Sequence, residues 1–228
     1  MNGYGLWVLL GIIAGLVVRR LQPSEDPALA PHRPRLLMAA VVGAVLGAYL
    51  LQLPSDWFGW DLQGGERIGG RTVLGGLLGG WLAVEIAKGL LGIRQPTGDG
   101  FAAPLAAALA CGRIGCVYGG CCGGVACAYP FAVAGHWPVA QVEAGFHAMA
   151  CVVLLIAARR GWWAGRRLAA YLTCYAVLRF TLEGVRGHPP LVIGLTWYQF
   201  LASSLFILAG TTWLLRSVRS PALGASNP

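Results

Sequence analysis

The sequence has 228 residues, 57% of them hydrophobic and 11% charged, with a formal net charge of +8. Soluble domains carry about 25% charged residues, so the composition excludes an ordinary soluble domain and indicates a polytopic membrane protein. The positive balance does not indicate nucleic acid, because most of the charges sit at the ends of apolar runs.

About 20 residues cross a bilayer core. Seven segments fit that length, roughly 3–20, 36–53, 71–93, 100–118, 138–158, 168–185 and 195–215. The expected fold is therefore all-α: a membrane helix bundle of about seven spans in one domain, residues 1–216, followed by a disordered polar tail, 217–228. The first segment has Arg19-Arg20 after its apolar run, the reverse of a secretory signal, so it is read as an uncleaved helix with its N-terminus outside. Alternating helices then place Arg19, Arg20, Arg33, Arg35, Lys88, Arg94, Arg159, Arg160, Arg166, Arg167, Arg216 and Arg219 on the cytoplasmic side. Arg67, Arg71, Arg113, Arg179 and Arg186 lie in the outer half, an asymmetry that satisfies the positive-inside rule and leaves the C-terminus cytoplasmic. Residues 21–35 read as a Pro-rich inner turn, 54–70 as an outer loop with interfacial aromatics, and 119–137 as a Gly- and Cys-rich outer loop. Gly43 with Gly47, Gly75-Gly76 and Gly79-Gly80 offer small faces for close helix packing.

Three charged constellations interrupt this apolar background. Arg113 sits among glycines in the fourth segment. An arginine at membrane depth costs roughly 2.5–3.5 kcal/mol on insertion scales and is a functional residue by default. Its guanidinium suits a phosphate or lipid headgroup, although an interfacial arginine can also snorkel to the surface. Arg179, Glu183 and Arg186 recur at helical spacing on one face of the sixth segment. A salt bridge explains the first two, and Arg186 leaves the face net positive. Glu143 lies in the first turn of the fifth segment, where the helix dipole favours an anion; it reads as a helix-start carboxylate, a general base or an arginine partner.

The cysteines form a fourth feature. Cys111, Cys116, Cys121, Cys122 and Cys127 cluster in sequence, while Cys151 and Cys174 stand apart. The cluster has neither a Cys-x-x-Cys pair nor a histidine at zinc-finger spacing, so the spacing rules give a metal site only weak support. A disulfide in an oxidising compartment and a reactive thiolate beside Arg113 both remain open. His32, His136, His147 and His188 show no partner in the sequence, and His147 reads as a packing residue.

These residues resemble the prolipoprotein diacylglyceryl transferase family along nearly the whole chain. Tyr4-Gly5-Leu6 looks like the family's opening helix. Gly69-Gly70-Arg-Thr-Val-Leu-Gly75-Gly76-Leu-Leu-Gly79 is similar to its Gly-Gly-x-x-x-His-Gly-Gly-Leu-Ile-Gly. Gly112-Arg113-Ile-Gly115 resembles the start of its Gly-Arg-Leu-Gly-Asn-Phe. Pro138 to Ala144 resembles its Pro-x-Gln-Leu-Tyr-Glu-Ala, and Arg179 to Arg186 its Arg-Phe-x-x-Glu-x-x-Arg. Leu195 to Gly210, with Gln199, looks like its last helix. There are departures: the family's histidine falls on Leu74, an arginine of its second helix on Val45, the Asn after Gly-Arg-x-Gly on Cys116, and Asn-Gly-Glu on Gly119-Gly120-Cys121.

The resemblance implies a multi-pass enzyme of the bacterial cytoplasmic (inner) membrane, with its active site toward the outer leaflet. The implied reaction moves sn-1,2-diacylglyceryl from phosphatidylglycerol to the lipobox cysteine thiol of a prolipoprotein, with no cofactor and no metal. Its partners are then membrane lipid, phosphatidylglycerol and the signal-peptide segment, not nucleic acid. Arg113, Arg179, Glu143 and Glu183 are the implied catalytic residues, with Arg113 and Arg179 on the phosphate, Glu183 orienting Arg179, and Glu143, or a thiolate of Cys121 or Cys116, as base. Tyr4, Gly75, Gly76, Gly112, Gly115, Cys116, Cys121, Arg186 and Gln199 are the implied substrate-binding residues. A different class is a relative on the same scaffold that acts in thiol redox or thiophilic-metal handling through Cys111 to Cys127.

Overall fold

The computed structural model describes residues 3–23, 27–59, 70–191 and 193–218. The side chain of Tyr4, the loop around Arg67 and most of the predicted tail lie outside the described residues. The chain forms α1 (Gly3–Leu21), a 3-10 turn (Pro27–His32), α2 (Arg33–Leu50), α3 (Leu53–Phe58), α4 (Val73–Leu90), α5 (Asp99–Tyr118), α6 (Val139–Arg159), α7 (Arg167–Glu183) and α8 (Trp197–Val218). The described residues contain no strand beyond isolated bridges in the loop before α6.

The seven long helices fall where the seven apolar segments predict them. Two ends differ for local reasons. Pro34 sits in the first turn of α2, where its missing N–H is no loss, so α2 starts before the apolar run does. Pro54 likewise opens α3 inside the expected outer loop, and Gly59, at φ +66°, closes that helix. Five stretches are long and apolar enough to cross a membrane: Leu29–Phe58, Val73–Leu90, Asp99–Tyr118, Val139–Arg159 and Trp197–Val218. α7 has 17 residues and carries Arg179 and Glu183. Large apolar side chains such as Leu6, Leu9, Ile12, Leu46, Leu82 and Ile207 point outward, as a lipid-facing surface requires.

Small residues set the helix pairs. Gly43 and Gly47 of α2 meet Gly75 and Gly79 of α4 so closely that a Cβ on Gly47 would lie 2.3 Å from the Gly75 carbonyl oxygen. In lipid, where apolar burial supplies no drive between helices, this backbone approach is the source of packing energy. Gly79→Leu is expected to destabilise the bundle by about 2 kcal/mol or more, because backbone atoms cannot move aside. The midpoint of unfolding in detergent measures it; an unchanged midpoint would refute the close α2–α4 packing. α1 packs on α5 in the same way, Gly15 against the Pro104 carbonyl and Gly115 against Trp7. α5 also packs on α6, and α7 on α8, whereas α6 and α7 touch only weakly.

One end of the bundle gathers the charges assigned to the cytoplasm. The Asp99 carboxylate accepts the backbone N–H groups of Gly165 (2.6 Å) and Arg167 (2.9 Å) and pairs with the Arg167 guanidinium (3.4 Å). It thereby supplies the first turn of α7 with a partner for its open N–H groups. Arg216 donates to the Gly165 carbonyl (2.7 Å), and Arg166 lies over the Trp213 ring. The remaining buried charges, apart from Lys88 on Glu85, lie toward the opposite end.

Candidate active site

At that opposite end α5, α6 and α7 bring Arg113, Glu143 and Arg179 together. Glu143 is fully buried and is the hub of the cluster. Its Oε2 pairs with Arg113 Nε (3.0 Å) and accepts from Arg186 Nη2 (3.3 Å). Its Oε1 accepts from Tyr175 OH (3.2 Å) and Arg113 Nη2 (3.4 Å) and lies 3.6 Å from Arg179 Nε. Arg113 Nη2 also lies 3.3 Å from the Tyr175 hydroxyl.

Glu183 forms a second hub, also fully buried. One oxygen takes the Arg179 guanidinium, one helical turn back; the other accepts from Thr196 Oγ1 (3.2 Å) and pairs with the His188 ring. His188 packs on the Tyr198 ring at 4.6 Å between centroids. The Tyr198 hydroxyl in turn meets Gln52 and Ser55 at the end of α2 and the start of α3. The sequence reading that the histidines have no partners is thus corrected at three positions. His188 binds Glu183, His147 Nδ1 bonds the Tyr171 hydroxyl at 2.7 Å, and His136 Nδ1 bonds the Ala134 carbonyl in the loop before α6 at 3.0 Å. Tyr175, Thr196, Gln52 and Ser55 escaped the sequence reading altogether, because single polar residues in apolar helices carry no spacing signal.

The two carboxylates face three guanidiniums, so the group carries one net positive charge before His188 is counted. Burial without water makes such an excess expensive unless an anion answers it. Apolar grooves flank α7 on both sides. One, of about 450 Å³, is lined by Phe131, Trp137, Val139, Val142, Leu182 and Val185 at the weak α6–α7 contact. The other, of about 350 Å³, runs between α7 and α8 past Phe180, Ala202 and Phe206.

The remaining predicted residues separate by position. Gly75 and Gly76 pack on α2, and Gly115 packs on Trp7. A Cβ on Gly112 would meet nothing within 4 Å. Gln199 accepts from the Thr196 backbone N–H and reaches the Phe180 carbonyl, which secures the start of α8 beside Glu183. Leu74 is buried in the core and Val45 is exposed on the outer surface of α2.

The loop after α5 is shaped by its glycines. Gly120 takes φ +62°, and the chain closes a cap in which the Gly120 N–H bonds the Val117 carbonyl and the Cys121 N–H bonds the Cys116 carbonyl. This cap sets Cys121 over Cys116. Cys122, itself at φ +61°, turns its side chain back, and the three sulfur atoms lie within 4.8 Å of one another. Cys111 and Cys127 stand outside this group, and all seven cysteines are free thiols. Beyond it, Val125 N–H bonds the Val185 carbonyl at 2.8 Å, which fastens the loop beside Arg186. A hydrogen bond from Cys116, with the charges of Arg113 and Arg186, outweighs burial and draws the Cys122 thiol down to about 5. Burial instead pushes Cys121 up. A depressed value means thiolate above about pH 5, so in reduced, metal-free protein Cys122 is expected to alkylate with iodoacetamide nearly as fast at pH 6 as at pH 8. Mass spectrometry of the labelled peptides checks this, and a rate that falls steeply from pH 8 to pH 6 would refute it.

The chain matches the model of the prolipoprotein diacylglyceryl transferases over residues 1–216. The chain belongs to this family. A phosphatidylglycerol–prolipoprotein diacylglyceryl transferase of Clostridium tetani (strain Massachusetts / E88) is 25% identical over 211 residues, which cover 82% of this chain and 81% of that protein. The family match, residues 1–216, runs through every helix that shapes the charged cluster. As a diacylglyceryl transferase family member it is a transferase of lipoprotein biosynthesis with a membrane-embedded helical bundle.

Proposed function

We propose that this chain transfers sn-1,2-diacylglyceryl from phosphatidylglycerol to the lipobox cysteine of a prolipoprotein, at the outer leaflet of the bacterial inner membrane. The observation that carries the reading is the buried excess of guanidinium over carboxylate beside two apolar grooves. It suits a ligand with one anionic phosphate and two hydrocarbon chains.

Arg113 and Arg179 hold the phosphate. Arg186, nearest the loop, adds positive potential at the mouth. The lipid enters sideways through the weak α6–α7 contact, and its chains lie along the flanks of α7. The acceptor sulfur attacks the sn-3 carbon. The acceptor thiol gives its proton to water, the carbon–sulfur bond forms, the carbon–oxygen bond to phosphate breaks, and glycerol phosphate leaves with the electron pair. Guanidiniums fixed in advance around the departing phosphate stabilise the charge that develops there. Glu143 keeps three arginines in register, and Glu183, braced by Thr196 and His188, orients Arg179. Three hydrogen bonds, from Arg113 Nη2, Tyr175 and Arg186, and the ion pairs to Arg113 and Arg179 tie the Glu143 carboxylate to the cluster, so its role here is to hold the arginines rather than to act as base.

The test is transfer of labelled diacylglyceryl from phosphatidylglycerol to a lipobox peptide by the purified full chain, with the thioether identified by mass. Absence of transfer by the reduced full chain, with or without added divalent metal, would sink the reading. The orientation has its own check: a cytoplasmic reporter fused after Leu62 is expected to be inactive.

A further inference from the structure

The site just described leaves the acceptor thiol without an activating group. Glu143 and Glu183 spend their oxygens on arginines, Tyr175, Thr196 and His188, and the His147 ring is fully buried with Nδ1 held by Tyr171. Beside Arg113 and Arg186 stand three sulfurs. We propose that Cys116, Cys121 and Cys122 bind one zinc ion through three thiolates, and that its open fourth position takes the acceptor cysteine as a zinc thiolate. The inference rests on the transferase reading.

The geometry supports it in three respects. Tetrahedral zinc with bonds of about 2.3 Å to thiolate sulfur spaces its sulfurs by about 3.8 Å. The three here lie within 4.8 Å of one another, so closure needs shifts of under about 1 Å. Second, the arrangement is held by backbone: the cap over α5 fixes Cys121 above Cys116, the left-handed turn at Cys122 aims the third sulfur inward, and the Val125–Val185 bond anchors the far side. Third, among the described residues the group has three ligand atoms, where a closed structural zinc site takes four. A three-ligand site leaves a position for substrate. Three thiolates and zinc carry one net negative charge, which Arg186 answers at the mouth of the site, leaving Arg113 and Arg179 to the phosphate.

The step balances without any change of oxidation state. The acceptor thiol binds zinc as thiolate and gives its proton to water. Its sulfur then attacks the sn-3 carbon, and the leaving phosphate oxygen keeps the electron pair. The sulfur, now a thioether, is a poor zinc ligand and departs.

The experiment uses the full chain in detergent, reduced, stripped with chelator and desalted. Zinc is titrated, with bound metal measured by elemental analysis and free thiols by a chromogenic disulfide. One zinc per chain is expected, with three of the seven thiols protected. Cys121→Ser and Cys122→Ser are expected to bind about 100-fold more weakly, and Cys174→Ser as wild type. Chelation is expected to lower transfer at least tenfold, and zinc to restore it. Equal zinc binding by Cys122→Ser overturns the proposal. So does the loss of two thiols without metal, the mark of a disulfide. Zinc bound at the three cysteines with transfer indifferent to chelation overturns the activating role. Zinc bound by a chain that transfers nothing overturns the transferase reading, and the activating role with it, and leaves the metal site standing.

Discussion

Glu143→Gln is expected to lower transfer by about 100-fold or more and to destabilise the protein by about 3 kcal/mol. The stability figure follows from what is left behind. Removing one partner of a buried ion pair costs about 3–5 kcal/mol, because the remaining charge stays buried without an answer. Here Arg113 and Arg186 would lose the carboxylate they pair with, and Arg179 would keep Glu183 alone. Loss on that scale is a large part of the roughly 5–15 kcal/mol that holds a typical domain together. The double variant Glu143→Gln with Arg186→Gln removes one charge of each sign, so it is expected to regain most of the stability and none of the activity. Chemical denaturation in detergent and the transfer assay read the two effects separately. A Glu143→Gln protein as stable as wild type, with a lowered rate and a shifted pH profile, would make Glu143 a base and refute the hub.

Arg113→Ala is expected to lower kcat/KM for transfer by about 1,000-fold, and Arg113→Lys by at least about 100-fold. Removing one pre-aimed donor to a developing oxyanion costs about 100- to 1,000-fold. Lysine restores the charge but not the planar fork that holds Glu143 through Nε and Nη2 at once. The fold should survive in both, since Glu143 keeps Arg179, Arg186 and Tyr175. Circular dichroism and the unfolding midpoint separate lost chemistry from lost structure. Transfer by Arg113→Ala within tenfold of wild type would remove Arg113 from the site.

The difference between what the chain announces and what the fold adds is clearest at the arginines. Arg179 and Glu183 were legible together because helical spacing places them on one face, whereas Arg186, expected on that face too, lies in the turn after α7 ends at Glu183. Arg113 and Glu143 were legible only one at a time: thirty residues and a loop separate them, and no local rule pairs them. Tyr175 was invisible, being one aromatic among many in an apolar helix. His188 looked like a loop residue because its partner Glu183 lies across a turn, where periodicity no longer applies. The glycines divide in the same way. Gly43, Gly47, Gly75, Gly76, Gly79 and Gly80 read correctly as packing faces, and they meet between α2 and α4; Gly75 and Gly76 were counted with the substrate-binding residues as well, by resemblance.

The cysteines show the limit best. Cys116 and Cys121 are five apart, which matches no ligand spacing on a continuous helix. The helix stops between them, and a glycine with positive φ folds the chain back so that they meet.

By itself the sequence determined the class, the number and order of the long helices, the face carrying Arg179 and Glu183, and the family. These follow from hydropathy, residue spacing and ordered motifs, all of which act along the chain. Only the tertiary structure decided that Glu143 sits among three arginines, that two grooves flank α7, and that three of five clustered cysteines share one point. Those are contacts between distant segments. They depend on where small residues let backbones approach and where caps turn the chain, and such angles and separations have no linear signature.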